Sequence, residues 1–320
     1  MIPVSIVTGF LGAGKSTLLR RILRDPAWAD SAVIINEFGE IPLDHDLVAA
    51  SEESFVSVAT GCLCCVLRDD LTTTLLDLLR RREAGEVPRY NRVLIETSGL
   101  ADPAPILHAL MSDPALGATH ALQGMVTLVD ALHGAASLAR HPEAQRQLRL
   151  ADRILVTKTD LAAVPEAAIR ALNPAAPLRA AVQGAAPPEW LFAAPPRPEA
   201  LPDWAAQHSQ GVGAIVIERE APIPALALTL WMQGLAEHAG PRLLRLKGLV
   251  ALVEQPDRPA VVHAIQHLVY PLEWLEGWPG RDRHSRIVLI GERIPRHWPA
   301  RLLMAIEAEV AAEMKRQAGA

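Results

Sequence analysis

The sequence predicts an α/β fold: a phosphate-loop domain with a mostly parallel sheet covered by helices, then a smaller α+β domain. Three observations predict it. The first is Gly9-Phe10-Leu11-Gly12-Ala13-Gly14-Lys15-Ser16, set between a strand-like and a helix-like run. The second is the recurrence of short apolar runs with helical stretches between them. The third is a change of composition at a proline-rich stretch, beyond which strand-like runs neighbour one another.

Residues 2–8 are apolar and β-branched, as a buried strand requires. Residues 18–23 have helical character. Strand, glycine-rich turn, helix is the setting in which G-x-x-x-x-G-K-S cradles nucleotide phosphates. Gly9, Gly12 and Gly14 let the backbone turn tightly and, with Ala13, aim N–H groups at an anion. The helix N-terminus, where Thr17 lies, adds its partial positive charge. Lys15 is positioned to reach the β- and γ-phosphates. The Ser16 hydroxyl is a candidate Mg²⁺ ligand.

Further strand-like runs occupy residues 32–35, 55–58, 92–95, 124–129 and 153–156, with helical stretches such as 71–82 and 142–150 between them. Polar residues in such sheets act from the carboxyl ends of strands. Glu96-Thr97-Ser98-Gly99 follows one strand. An acid there can bind Mg²⁺ directly or through water, and Gly99 can offer its N–H to the γ-phosphate. An ordinary polar turn is the plain alternative. Thr157-Lys158-Thr159-Asp160 follows another strand and resembles the guanine-reading Asn-Lys-x-Asp, with Thr in the Asn place. Asp160 can accept from guanine N1–H and its 2-amino group, while Lys158 packs along the base. Adenine offers neither donor, so GTP is expected over ATP. A helix N-cap at Thr157 or Asp160 is the alternative.

All three cysteines, Cys62, Cys64 and Cys65, stand within four residues. They follow the strand near residues 55–59, on the sheet edge that carries the phosphate loop. Thiolates select zinc and other thiophilic ions. Three of them leave one position open or filled by another residue. An incomplete set suits a metal that is handed on, whereas structural zinc is usually closed by four protein ligands. A structural zinc knot, a redox thiol switch and inert buried thiols are the competing readings. Glu37, in Asn36-Glu37-Phe38-Gly39, can supply an oxygen to the transition metal or to Mg²⁺-bound water. Asp44 can help position Mg²⁺ or the attacking water. A solvated acidic loop is the alternative for both.

With 320 residues, half of them hydrophobic, the chain can bury the cores of two domains. A net charge of −5 without a basic stripe argues against nucleic acid as a partner. No apolar run reaches membrane-span length. A phosphate loop beginning at Gly9 leaves no room for a cleavable signal peptide. A cytoplasmic location is therefore expected, where clustered cysteines serve metal or redox chemistry rather than disulfides. Pro187, Pro188, Pro195, Pro196, Pro198 and Pro202 mark a linker. The expected organisation is a nucleotide domain with the cysteine motif at 1–185, a linker at 186–210 and an α+β domain at 211–320. In the last, residues 213–218, 243–254, 260–270 and 285–290 read as strands, and 223–238 and 298–316 as helices. His263 and His267 would share one strand face and read as packed histidines rather than a metal pair.

Taken together, these motifs resemble the CobW-type family of metal-chaperone GTPases, in the SIMIBI class of phosphate-loop GTPases. Its carriers are GFLGAGKST at 9–17, NEFG at 36–39, GCLCC at 61–65, ETSGLADP at 96–103 and TKTD at 157–160. Lys247-Gly248, Gln266-His267 and Ser285-Arg286-Ile287-Val288 look like the family's second domain. The resemblance implies a GTPase that binds Mg²⁺-GTP and a transition metal, zinc or cobalt, and delivers the metal to a client metalloprotein. Turnover is expected to be slow without a partner, since no obvious arginine finger or glutamine stands in the sequence, and the client is expected to dock on the C-terminal domain. By motif, Cys64 and Cys65 are the metal thiolates, with Cys62 and Glu37 next. Lys15, Glu96 and Asp44 are the candidate catalytic residues. A monomer or weak homodimer is expected. A GTP-driven switch with a structural or redox cysteine site is the alternative.

Overall fold

A computed structural model describes residues 1–36, 56–60, 68–174, 176–193, 212–266, 268–278 and 283–318. Two compact units divide the chain. One is Met1–Ile169 with Ala176–Pro196, and the other is Arg170–Ala175 with Arg197–Ala320. Among the described residues no helix is long and apolar enough to cross a membrane.

The first unit is built on a seven-stranded sheet. Its strands are β1 (Ile2–Gly9), β2 (Ser31–Asn36), β3 (Val56–Thr60), β4 (Arg92–Glu96), β5 (His120–Asp130), β6 (Arg153–Thr157) and β7 (Leu178–Ala180). Their order is β3-β2-β4-β1-β5-β6-β7, and every pairing is parallel. Parallel strands covered on both faces are apolar throughout, which is why β4 and β6 read as continuous runs rather than alternations. The helices are α1 (Lys15–Leu23), α2 (Arg68–Glu83), α3 (Ala104–Ser112), α4 (Pro114–Thr119), α5 (Gly134–Arg140), α6 (Pro142–Leu150), α7 (Glu166–Leu172) and α8 (Pro188–Phe192). Helix α1 buries Leu18, Leu19 and Ile22 against Val7, Val33, Leu128 and Leu155 of the sheet. Each such side chain contributes about 1.5–3 kcal/mol, which fixes the helix start directly over the end of β1.

The strand order matters for the site. From β1 the chain moves to one side of the sheet, through β2, β3 and β4, and then crosses to the other through β5, β6 and β7. The end of β1 is therefore a switch point, where a parallel sheet opens a crevice.

In the second unit, β8 (Val212–Arg219), β9 (Leu243–Leu252), β10 (Gln255–Ile265), β11 (Leu268–Val269) and β13 (Ser285–Glu292) form an antiparallel sheet ordered β11-β10-β9-β13-β8. The short β12 (Glu273–Trp274) pairs on β10. Helices α9 (Ala225–Ala239) and α10 (Trp298–Ala318) supply Trp231, Leu235 and Leu303 to a core with Leu246, Val262 and Leu289.

Two expectations are corrected here. Residues 260–270 do not form one strand. Gln266 takes a φ of 53°, in the left-handed region, and the chain turns back so that Val269 pairs with Ala264. His263 stacks on Tyr270 with ring centres 4.2 Å apart, and His267 lies outside the described residues. The stretch expected to be linker from 186 instead opens on α8, whose Leu191 and Phe192 are buried in the first unit's core. Prolines at the first helical positions favour a helix start as readily as a linker.

Candidate functional site

Register brings the polar strand ends together. Val7 pairs with Glu96, Gly9 with Leu128, and Asp130 with Thr157. Gly9, Glu96, Asp130 and Thr157 thus lie along one edge of the sheet, around the turn between β1 and α1.

That turn is shaped by its glycines. Gly9 has a φ of 147°, and a Cβ there would sit 2.5 Å from the Leu128 carbonyl oxygen. Gly14 caps α1 at a φ of 92° and a ψ of 23°, a left-handed conformation that costs a side chain about 1 kcal/mol or more. The cap residue of α1 is a glycine, which has no side chain to accept from the first turn, and that turn holds no acid. Its N-terminal N–H groups and dipole are thus suited to an anion. Ala13 is buried, and Gly12 and Thr17 are exposed at the turn.

Lys15 is buried, and its Nζ donates to the Gly9 carbonyl oxygen at 2.8 Å. The ammonium therefore lies across the loop that its own helix follows. The Ser16 hydroxyl donates to Glu96 Oε1 at 2.8 Å. Two oxygens of this kind fit a hard divalent cation, because neighbouring ligands on an octahedral ion with bonds of roughly 2.0–2.1 Å stand about 2.9 Å apart. Glu96 is itself buried, so the sheet edge holds a carboxylate away from bulk water. Thr97 continues the strand edge: its N–H donates to Val7 and its hydroxyl to Thr8 Oγ1, at 2.7 Å. Gly99 is pressed on the phosphate loop, since a Cβ there would meet Leu11 N at 2.7 Å.

On the other flank, Thr157 does not cap a helix. Its hydroxyl donates to the Ala13 carbonyl oxygen at 2.8 Å and so braces the phosphate loop. Lys158 follows at a φ of 57° and pairs with Asp130. Asp130 also accepts from the N–H groups of Leu132 and His133, at 2.7 and 3.3 Å. Burial works to raise the Asp130 pKa, but the bond from Lys158 and the two N–H groups outweigh it and hold the carboxyl below its ordinary value. Asp160 is exposed at the rim of the same loop.

Asp130 is not among the candidates that the sequence names, although it is an acid that closes an apolar run. Gln147, described below, gave no sequence signal, because it sits inside a helix. Glu37, Asp44, Cys62, Cys64 and Cys65 lie outside the described residues. Among the described residues no group of three or more His, Cys, Asp or Glu side chains converges on a metal position. The strands that precede Glu37 and Cys62 are neighbours: Asn36, the last residue of β2, pairs with Thr60, the last of β3.

Comparison with known proteins bears on the same elements. The chain is 33% identical over 309 residues to the zinc chaperone YjiA of Escherichia coli, covering 92% of this chain and 95% of that one. Its fold is similar to the crystal structure of Zn(II)-bound YjiA GTPase from E. coli, with a TM-score of 0.75, 27% identity, and coverage of 95% and 98% of the two chains. It is similar too to a Zn(II)-bound YjiA triple mutant in which one glutamate and two consecutive cysteines are alanine, with a TM-score of 0.72 at 28% identity over 96% of this chain and 99% of the other. Residues 212–307 match the CobW C-terminal domain. Residues 3–180, which carry the phosphate loop, Glu96 and the Lys158 turn, match the CobW/HypB/UreG nucleotide-binding domain, and the chain belongs to that family.

Proposed function

We propose that this protein is a GTP-hydrolysing metallochaperone. It carries zinc on Cys64 and Cys65, with Cys62 and Glu37 completing the site, and gives the metal to a client metalloprotein when GTP is hydrolysed. The observation that carries the reading is the order of strand ends along one edge. The strands leading to Cys62, Glu37, Glu96 and the phosphate loop are consecutive neighbours, β3-β2-β4-β1. A change at the γ-phosphate therefore has only neighbouring strand ends to act through. The zinc named for YjiA favours zinc over cobalt as the cargo.

In this reading the N–H groups around Gly12 to Thr17 hold the phosphates, and Lys15 exchanges the Gly9 carbonyl for phosphate oxygens. Ser16 and Glu96 would hold Mg²⁺, which supplies positive charge at the phosphates. Gly99 offers its N–H to the γ-phosphate. Asp44 orients the water. Lys158, steadied by Asp130, packs along the base, and Asp160 accepts from guanine. GTP is therefore preferred to ATP. Removal of the γ-phosphate releases the segments around Glu37 and Gly99, and zinc affinity falls. A cytoplasmic location suits free thiolates. The client docks on the unit that holds α9 and α10, and the chaperone works as a monomer or weak homodimer.

The test is zinc affinity by chelator competition in nucleotide-free, GDP-bound and GTP-analogue-bound protein with Mg²⁺. Because a YjiA variant lacking one glutamate and two cysteines still holds zinc in its crystal, total zinc uptake is a poor readout. The nucleotide dependence is the informative one. Tightening of about ten-fold or more with the GTP analogue is expected, as a coupling of 1–3 kcal/mol gives. Equal affinity in all three states would return the cysteines to a structural or redox role within a GTP-driven switch.

A further inference from the structure

Gln147 lies on α6 with none of its surface exposed. Its amide nitrogen donates twice, to the Gly99 carbonyl oxygen at 3.1 Å and to the Ala101 carbonyl oxygen at 2.9 Å. Its own main-chain oxygen accepts from Thr127 Oγ1 at 2.9 Å, in the strand beside β1. One buried residue thus fastens the turn after Glu96 to the scaffold that flanks the phosphate loop. The turn's other side is the loop itself, through Gly99 against Leu11.

The amide's orientation is fixed by those carbonyls. Turned over, its oxygen would face two carbonyl oxygens. In the orientation observed, Gln147 Oε1 is buried without a hydrogen-bond partner among the described residues. An unmet buried acceptor is costly, so the two donated bonds dominate. Gln147 also lines a cavity of about 110 Å³ together with Phe10, Leu11, Gly12 and Ala13 of the phosphate loop. A glutamine on a buried helix face whose side chain donates to two carbonyls of a loop has a loop-positioning geometry.

We propose that Gln147 is a positioning residue for nucleotide hydrolysis. It holds the Ser98–Ala101 turn so that the Gly99 N–H is ready for the γ-phosphate, and it distinguishes GTP from GDP without touching either. This rests on the assignment of Gly99 to the γ-phosphate made above. The Gln147→Met variant keeps the side chain's length and loses both donated bonds. It is expected to lower kcat for GTP, and the affinity for a non-hydrolysable GTP analogue, by about ten-fold or more, with GDP affinity unchanged. A structural role alone would weaken GDP and the analogue alike, and that result, or an unchanged kcat and affinity ratio, would overturn the proposal. Absence of nucleotide binding by the wild-type protein would instead remove the phosphate-loop assignment itself. Should the variant not fold, the wild-type protein still decides the matter. The Gln147 side-chain NH₂ should exchange slowly with solvent and change its NMR shift between the GDP and analogue complexes. An identical, fast-exchanging signal in both states would refute the role.

Discussion

Glu96→Gln keeps a side chain of the same length beside Ser16 but removes a buried negative charge from the sheet edge. An amide oxygen is a weaker ligand for a hard cation than a carboxylate. The expected result is a drop of roughly 10²-fold in kcat for GTP, with a raised Mg²⁺ requirement, measured by phosphate release across a magnesium titration. An unchanged Mg²⁺ dependence would take Glu96 out of the metal site. Asp130 makes a second prediction at this scale. Its folded pKa lies below the ordinary value, since Lys158 and two N–H groups overcome its burial. A depressed carboxylate contributes stability that is full above its unfolded pKa, about 3.9, and is lost as pH falls through the lower folded value. Asp130→Asn should therefore cost about 1–3 kcal/mol at neutral pH. The gap from wild type should close only below about pH 4. Denaturant unfolding at neutral and acid pH measures both, and a gap that persists undiminished in acid would contradict the sign.

The turn between β1 and α1 could be read from the sequence because its chemistry is local. Gly9 and Gly14 are demanded by backbone conformation within a few residues, and the apolar runs on either side name the elements. Substituting Gly9 with alanine would drive a Cβ to 2.5 Å from the Leu128 oxygen on the neighbouring strand. The β1–β5 register cannot yield without disturbing the whole strand, so the loop must distort. A loss of about ten-fold or more in GDP affinity is expected, with far-ultraviolet circular dichroism unchanged, and calorimetric titration checks it. What the sequence withheld is non-local. From the sequence Thr157 reads as an imperfect guanine reader or a helix cap. In the fold it braces Ala13, 144 residues away. Asp130 and Lys158 are 28 residues apart and meet only because β5 and β6 are adjacent. Gln147 reads as an ordinary helical residue until Gly99 is brought to it. The strand expected at residues 260–270 failed for a local reason of another kind. Its apolar alternation continues through Gln266, but a single left-handed residue reverses the chain, and periodicity does not register that.

Each of the two units carries its own buried core, one around α1 and the parallel sheet, the other around Trp231. In the proposed reading nucleotide binds where the first core sets the loop, so its binding energy adds to the stability of that unit. Mg²⁺-GDP at 100 times its Kd should add about 2.7 kcal/mol there. The second unit offers the complementary perturbation. Trp231 is fully buried on α9, and its indole N–H donates to the Pro299 carbonyl oxygen of α10 at 2.8 Å. Trp231→Phe removes that hydrogen bond and opens space beside the carbonyl, at a cost of about 1–3 kcal/mol. The variant should lower the stability of the second unit and leave GDP affinity unchanged, because sites without shared partners add independently. Calorimetric unfolding of wild type and variant, each with and without Mg²⁺-GDP, separates the two effects. Stabilisation by nucleotide that is equal in both proteins is the expected outcome. A smaller nucleotide effect in the variant would mean that the core around Trp231 helps to set the phosphate loop, and the division of labour between the units would have to be redrawn.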